Sequence, residues 1–202
     1  MQNHGGYGEA YDNFHEGVYK IGRSYTDANQ YLSLVHESDK AVENLINYFS
    51  KVDDPVEIVF FGDHQPSLNS NFYPLLNGKG LSGLTEDELE KLYTVPFFIW
   101  TNYDTPEETV DITSLNYLST LTLERAGISL PEYNKFLADM MEVVPAINSR
   151  GYYSKSQGCY LHLDEATGEE AEWINRYNIL QYNSKKKKKG RSNVFFSYNI
   201  SK

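Results

Sequence analysis

Two short and nearly continuous apolar runs constrain the fold of this chain most. They span residues 56–61 (VEIVFF) and 95–100 (VPFFIW), and both are rich in β-branched and aromatic side chains. Pro55 and Gly62 bound the first run, and Pro96 is tolerable only near the beginning of a strand. Such continuous apolarity predicts strands that are buried on both faces, as in a parallel sheet.

Helical patterns alternate with these runs. A helix is predicted from Thr26 or Asp27 to about Ser50, because its apolar residues recur at helical spacing. Thr85 and Glu88 have the spacing of a capping box and predict a helix that continues to about Tyr93. Further helices are predicted near 112–126, 131–141 and 168–182, while 65–85 and 143–165 are predicted to be irregular apart from a hairpin around His162. The alternation of helices and buried strands indicates an α/β sandwich.

Composition excludes several classes of function. The 202 residues, of which 40% are apolar, suffice for one globular domain with a core. A net charge of −10 argues against general binding of nucleic acids, which requires basic surface. Cys159 is the single cysteine, so no intrachain disulfide can form. No apolar run approaches the ~20 residues that cross a bilayer.

The residues that are candidates for a functional role are Asp63 and His64, which directly follow the first apolar run. In open α/β sheets ligands bind outside the carboxyl ends of strands. Successive strand residues point to opposite faces, so these two side chains share an ion only if the chain turns, and Gly62 is expected to supply that freedom. A carboxylate with an imidazole suits Zn²⁺ or Mn²⁺. The structural alternative is that Asp63 caps a turn and that His64 packs against its neighbours or lies on the surface.

The order of several motifs resembles a known family. Asn3 and His4 form an Asn-His segment, a helix carrying Asp39 follows, and then come the first strand and Gly-Asp-His at residues 62–64. This order is similar to the lipoteichoic-acid-synthase-like, phosphoglycerol transferase branch of the sulfatase family, within the alkaline phosphatase superfamily. The resemblance covers residues 1 to about 140 and corresponds to the C-terminal portion of the family's catalytic domain.

The resemblance implies a fold and an organisation. The expected fold is α/β, a partial alkaline-phosphatase-like three-layer sandwich with a mostly parallel sheet. Residues 1–25 would form a substrate-site loop, residues 26–142 the α/β core, and residues 143–202 a C-terminal extension with a helix.

The resemblance also implies site residues and a cofactor. Asp63 and His64 are expected to be metal ligands, with Mn²⁺ favoured over Zn²⁺, Mg²⁺ or Ca²⁺. His4 and Asn3 are expected to contact the substrate phosphate, and Ser67 is expected to donate or accept a hydrogen bond there. For His4 the alternative is an ordinary loop histidine.

The family's catalytic nucleophile, a threonine in this branch, and an acidic metal ligand precede the Asn-His segment. Neither is present on this chain, so the isolated polypeptide is expected to be catalytically weak or inactive. The implied partners are an anionic lipid or polymer headgroup as substrate and the missing N-terminal half of the same catalytic domain. Self-association through an exposed sheet edge is a further expectation.

Two functions from different classes remain open from the sequence. One is part of an enzyme that transfers or hydrolyses phosphate or sulfate esters at the bacterial cell envelope, in an extracytoplasmic and membrane-associated full-length protein. The other is a non-catalytic fragment or module that binds an anionic envelope polymer or a partner protein. The basic run Lys185–Lys189 is either a solvated connector or a contact for anionic headgroups.

Overall fold

A computed structural model describes residues 6–8, 14–18, 22, 25–186 and 193–196. The helices and strands are α1 (Thr26–Phe49), β1 (Glu57–Phe61), α2 (Tyr73–Asn77), α3 (Glu86–Glu90), β2 (Phe97–Thr101), α4 (Leu118–Arg125), α5 (Glu132–Val143), β3 (Gly151–Ser154), β4 (Cys159–His162), α6 (Gly168–Lys186) and α7 (Asn193–Phe196). The chain forms two compact units, Met1–Asp104 and Thr105–Lys202. The predicted division into residues 1–25, 26–142 and 143–202 concerns functional segments rather than compact units, and it stays a prediction.

The first unit begins with the long helix α1, which confirms the predicted helix. The residue that precedes it is Tyr25, which makes no side-chain capping bond. Asp27 therefore lies in the first turn rather than at the cap, where its carboxylate favours the positive end of the helix dipole. Four residues of its first three turns are buried: Ala28, Asn29, Gln30 and Ser33. The Ser33 hydroxyl oxygen accepts hydrogen bonds from the Gly17 and Val18 amides, at 3.1 and 3.0 Å, and so joins these two residues to the helix.

Strands β1 and β2 form an antiparallel pair with Glu57 opposite Thr101 and Phe61 opposite Phe97. Both strands lie where the apolar runs predict them, but the expected parallel sheet is not what the described residues form, since both strand pairs there are antiparallel. Nor is β1 buried on both faces, because Phe60 and Phe61 are 37% and 47% exposed. An apolar run indicates that a strand can be buried. It does not indicate whether the neighbouring strand runs parallel or antiparallel to it.

A single side chain fixes the path from α1 into β1. The side-chain amide of Asn102 donates hydrogen bonds to the carbonyl oxygens of Phe49, Val52 and Asp54, at 3.3, 2.8 and 2.9 Å. Its side-chain oxygen accepts a bond from the Val56 amide at 2.8 Å. Because β1 leads directly to the candidate site, Asn102 sets the direction from which the chain arrives there.

The second unit contains most of the buried apolar side chains. Its core consists of Tyr117, Leu137, Met140, Val144, Tyr152, Ile174 and Tyr177. The buried Tyr117 hydroxyl donates a hydrogen bond to the Val144 carbonyl at 2.7 Å, so the core is closed without an unpaired phenol. The antiparallel pair of β3 and β4 confirms the predicted hairpin at His162 and gives order to a segment that was otherwise predicted to be irregular.

Candidate metal centre

Asp63 and His64 follow β1 immediately and lie side by side. Asp63 Oδ2 and His64 Nε2 are 3.6 Å apart, and both side chains are largely exposed, at 79% and 65%. Two ligand atoms bound to one metal at about 2.1 Å in tetrahedral geometry lie about 3.4 Å apart. The pair, called the metal half-site below, thus has the donor types and the spacing of two ligands of one ion.

A tight turn brings the two side chains together. Asp63 Oδ1 accepts a hydrogen bond from the His64 amide at 2.9 Å, which holds the carboxylate over the following residue. Gly62 is required here for a reason that differs from the predicted one. Its φ lies outside the left-handed region, but a Cβ at this position would lie 2.9 Å from Val95 Cβ. Close approach of the neighbouring chain, rather than backbone freedom, accounts for this glycine.

The His64 ring is oriented by a main-chain carbonyl. Its Nδ1 lies 2.9 Å from the Gln65 carbonyl oxygen, an acceptor to which only a protonated Nδ1 can donate. This contact favours the tautomer in which Nε2, the atom facing Asp63, carries the lone pair. Ligating histidines commonly have their second nitrogen held in this way.

The residues before and after Asp63 and His64 are hydrogen-bonded to the segment that leads into β2. The Gly62 amide donates to the Pro96 carbonyl at 3.0 Å, and the Gln65 side-chain amide donates to the Thr94 carbonyl. The sequence interpretation missed both contacts. The only sequence signal was the position of Gln65 next to the predicted ligands, and a side-chain contact over such a separation cannot be read from spacing.

The loop that follows the half-site is held against α1. The Asn69 amide donates to Asp27 Oδ2, and the Tyr73 hydroxyl donates to the Pro66 carbonyl at 3.3 Å. Ser67 is exposed in this loop, and within the described part of the chain no hydrogen bond joins it to the half-site. Its predicted contact with substrate stays a prediction.

Asn3 and His4 lie outside the described residues, so their predicted roles also stay predictions. The segment just after them lies beside α1, where the Tyr7 ring meets Tyr31 edge to face with centroids 5.4 Å apart. Burial, and to a smaller extent the neighbouring Tyr7, raises the pKa of Tyr31 above its ordinary value. Residues 6–8 and the start of the loop after the half-site therefore both lie against α1.

Two ligands do not complete a metal site. Among the described residues, no group of three or more His, Cys, Asp or Glu side chains is arranged to hold an ion. A catalytic zinc site usually has three protein ligands. Asp63 and His64 would therefore supply only part of a coordination sphere, and both side chains are exposed to solvent.

The fold has a counterpart among solved structures. The chain superimposes on the phosphoglycerol transferase GacH of Streptococcus pyogenes, solved in complex with sn-glycerol-1-phosphate, with a TM-score of 0.62 over 91% of this chain and 42% of that one. At 18% identity this likeness shows the fold alone, and that fold is of the α/β class.

The family is shown by sequence. Residues 1–128 match the model of the family described as Sulfatase, which is more than half of the chain. The chain belongs to the sulfatase family. The predicted recognition of the sulfatase family is confirmed.

Two curated relatives are similar over parts of the chain, and both are from Rhizobium meliloti (strain 1021). A putative cyclic beta-1,2-glucan modification protein is 27% identical over 150 residues, covering 70% of this chain and 23% of that protein. The capsular polysaccharide biosynthesis protein RkpI is 39% identical over 51 residues, covering 25% of this chain and 10% of that protein. The chain thus spans less than a quarter of either relative. Among its described helices, none is both long and apolar enough to cross a membrane.

Proposed function

We propose that this chain contributes Asp63 and His64 as two ligands of a divalent-metal site that serves the transfer or hydrolysis of phosphate or sulfate esters. The observation that carries the proposal is the 3.6 Å separation of Asp63 Oδ2 and His64 Nε2 at the end of β1. Membership of the sulfatase family supports a function of sulfatase or transferase type. Phosphoglycerol transfer is favoured because the matching fold belongs to a phosphoglycerol transferase.

The donor set limits the choice of metal. One carboxylate and one imidazole suit Mn²⁺ or Zn²⁺, whereas Ca²⁺ and Mg²⁺ prefer oxygen ligands alone. Mn²⁺ is our first choice. A bound ion of this kind supplies charge stabilisation to ester oxygens and lowers the pKa of a coordinated hydroxyl group. The role of this chain is to hold the two ligands at a fixed separation and to leave the opposite side of the ion open to further ligands.

We further propose that the nucleophile and the acidic ligand come from the part of the catalytic domain that longer relatives contain and this chain does not span. In that complete domain, β1 and β2 would join a larger, mostly parallel sheet of a three-layer sandwich. The substrate would be an anionic lipid or polymer headgroup at the cell envelope, contacted by Asn3, His4 and Ser67. An extracytoplasmic, membrane-associated location of the full-length protein belongs to the same proposal.

A second function, which the sequence leaves open, is that of a non-catalytic module. A non-catalytic module with this fold would bind an anionic envelope polymer or a partner protein without turnover. Such a module would not depend on a metal ion.

Titration with Mn²⁺, followed by isothermal calorimetry and by the loss of the free-ion electron paramagnetic resonance signal, separates the two functions. We expect saturable binding to the wild type and at least a tenfold loss of affinity in Asp63→Ala and in His64→Ala, since each removes one of two ligands. Asp53→Ala and His36→Ala are matched controls, because both residues are exposed and lie away from the turn. Equal affinity in all five proteins, or no binding by the wild type, would contradict the metal proposal.

A further inference from the structure

Two hydrogen bonds join the turn at residues 62–65 to the segment that leads into β2. Thr94 has extended backbone geometry, with φ −79° and ψ 130°. In an extended chain the carbonyls of residues i and i+2 point to the same side. The Thr94 and Pro96 carbonyls accept hydrogen bonds from Gln65 and Gly62, which are the two residues that flank the metal half-site.

These bonds act on the orientation of the His64 ring. The Gln65 carbonyl that receives His64 Nδ1 belongs to the residue whose side chain is bound to Thr94. Without that bond the carbonyl would be free to rotate with the loop, and an imidazole with 65% exposure would gain access to other rotamers. Holding the carbonyl therefore holds the ring, and holding the ring keeps Nε2 beside Asp63 Oδ2.

We infer that Gln65 is a positioning residue for the metal half-site. Its side-chain amide fixes the turn to the approach of β2, and its main-chain carbonyl selects the tautomer of His64 that presents Nε2 as the metal-binding nitrogen. The inference rests on the proposed metal-binding function of Asp63 and His64, but it concerns a different residue and predicts an effect that exists without metal.

The effect of Gln65 on metal affinity is expected to be as large as that of other groups that hydrogen-bond to a metal ligand. Loss of such a group typically lowers metal affinity about 10–100-fold, because the ligand must be reoriented on binding. Gln65→Ala removes the bond to Thr94 and leaves the main-chain carbonyl in place. Gln65→Glu keeps the length of the side chain and replaces the donor by a carboxylate facing a carbonyl oxygen, so it is expected to be at least as harmful as the alanine variant.

The deciding experiment determines which tautomer His64 adopts in the metal-free protein. Two-bond ¹H–¹⁵N spectra of ¹⁵N-histidine-labelled protein at about pH 9, above the usual titration range of imidazoles, distinguish protonated Nδ1 from protonated Nε2. The His64 signals are assigned by their loss in His64→Ala. We expect the Nδ1-protonated form in the wild type, and a shift towards the Nε2-protonated form in Gln65→Ala and Gln65→Glu.

Ser70→Ala is the control, since this exposed serine lies in the same loop and outside the half-site. It should retain the wild-type tautomer and Mn²⁺ affinity, while Gln65→Ala binds Mn²⁺ about tenfold more weakly. An unchanged His64 tautomer in both Gln65 variants would overturn the inference, even if Asp63→Ala abolishes Mn²⁺ binding. A Gln65-dependent tautomer in a protein that binds no Mn²⁺ would uphold the positioning role and refute the metal proposal.

Discussion

Gly62 shows how a single residue couples the strand pair to the half-site. Its amide bonds the Pro96 carbonyl, and its α-carbon lies so close to Val95 that a Cβ would be 2.9 Å from Val95 Cβ and 3.2 Å from Cγ1. The crowding involves the stiff, β-branched part of the valine, which cannot rotate away. The side chain therefore has to be absent for the turn to begin where it does.

Gly62→Ala is expected to lower the free energy of unfolding by about 1–3 kcal/mol, the usual cost of forcing an atom into an occupied space. It should also weaken Mn²⁺ binding, since the displaced turn carries Asp63. Gly80→Ala is the matched control, because nothing lies within 4 Å of its added Cβ and its φ is −69°. Urea denaturation compares the two variants, and equal stabilities would refute the steric explanation.

The sequence predicted the identity and the neighbourhood of the candidate ligands but not what holds them. Asp63 and His64 are predicted as ligands because they follow a strand and resemble a family motif, and their binding of a metal stays a prediction. The bond from Gln65 to Thr94 and the bond from Asn69 to Asp27 join residues far apart in the chain. Neither leaves a periodic or local trace, so only the folded structure reveals them.

Among the elements, α3 was the most predictable because its signal is local. The Glu88 amide donates to Thr85 Oγ1 at 3.3 Å and the Thr85 amide donates to Glu88 Oε2 at 2.7 Å, which is the predicted capping box. Lys79 also binds Glu88, and this ion pair, followed by the Thr85 amide, lowers the Glu88 pKa to about 2. By contrast, the direction of β2 relative to β1 depends on non-local hydrogen bonds, and the sequence interpretation expected a parallel arrangement.

Asn102 lets us test how the junction between α1 and β1 depends on one side chain. Asn102→Ala removes bonds to three carbonyls and one amide, so we expect a loss of about 1–3 kcal/mol in unfolding free energy. Asn102→Asp should be at least as destabilising, because a carboxylate can accept from Val56 but faces the three carbonyls without a donor.

The exposed Asn44→Ala within α1 serves as the control for Asn102 and should be neutral or slightly stabilising. Trp100 fluorescence in a Trp173→Phe background reports unfolding of the first unit, because Trp100 lies in β2. A fully stable Asn102→Asp would show that the side-chain amide is not needed at this junction.

At the scale of the molecule, apolar patterns predicted where elements lie better than they predicted burial. The first unit leaves Leu32, Val35 and Leu45 of α1 exposed, together with Phe60 and Phe61 of β1. A hydrophobic pattern indicates that one face of an element can be buried. It does not indicate which neighbouring element covers that face. The second unit buries seven side chains in one core, although Leu115, Ile128 and Ile179 also stay exposed there.

The tyrosines of that core predict the behaviour of the molecule in alkali. Burial, followed by the hydrogen bond to Glu170, raises the pKa of Tyr152 to about 12, and burial raises that of Tyr133 to about 12 as well. Burial also raises the pKa of Tyr117 and Tyr177 above the ordinary value. A raised pKa means that the folded state favours the neutral phenol. The stabilisation is complete below about pH 10, the ordinary pKa of tyrosine, and is lost progressively up to about pH 12.

We therefore expect the unfolding free energy of the second unit to fall steeply between about pH 10 and pH 12. Tyr152→Phe should make this fall shallower, since one titrating phenol is gone, although it lowers stability at neutral pH by removing the 3.0 Å bond to Glu170. Tyr182→Phe, at a 57% exposed position, should leave the slope unchanged. Urea denaturation at several pH values, followed by Trp173 fluorescence, measures the slopes. Identical slopes in wild type and Tyr152→Phe would contradict this prediction. They would mean that unfolding does not change the protonation of Tyr152 between pH 10 and pH 12, contrary to its burial in the core.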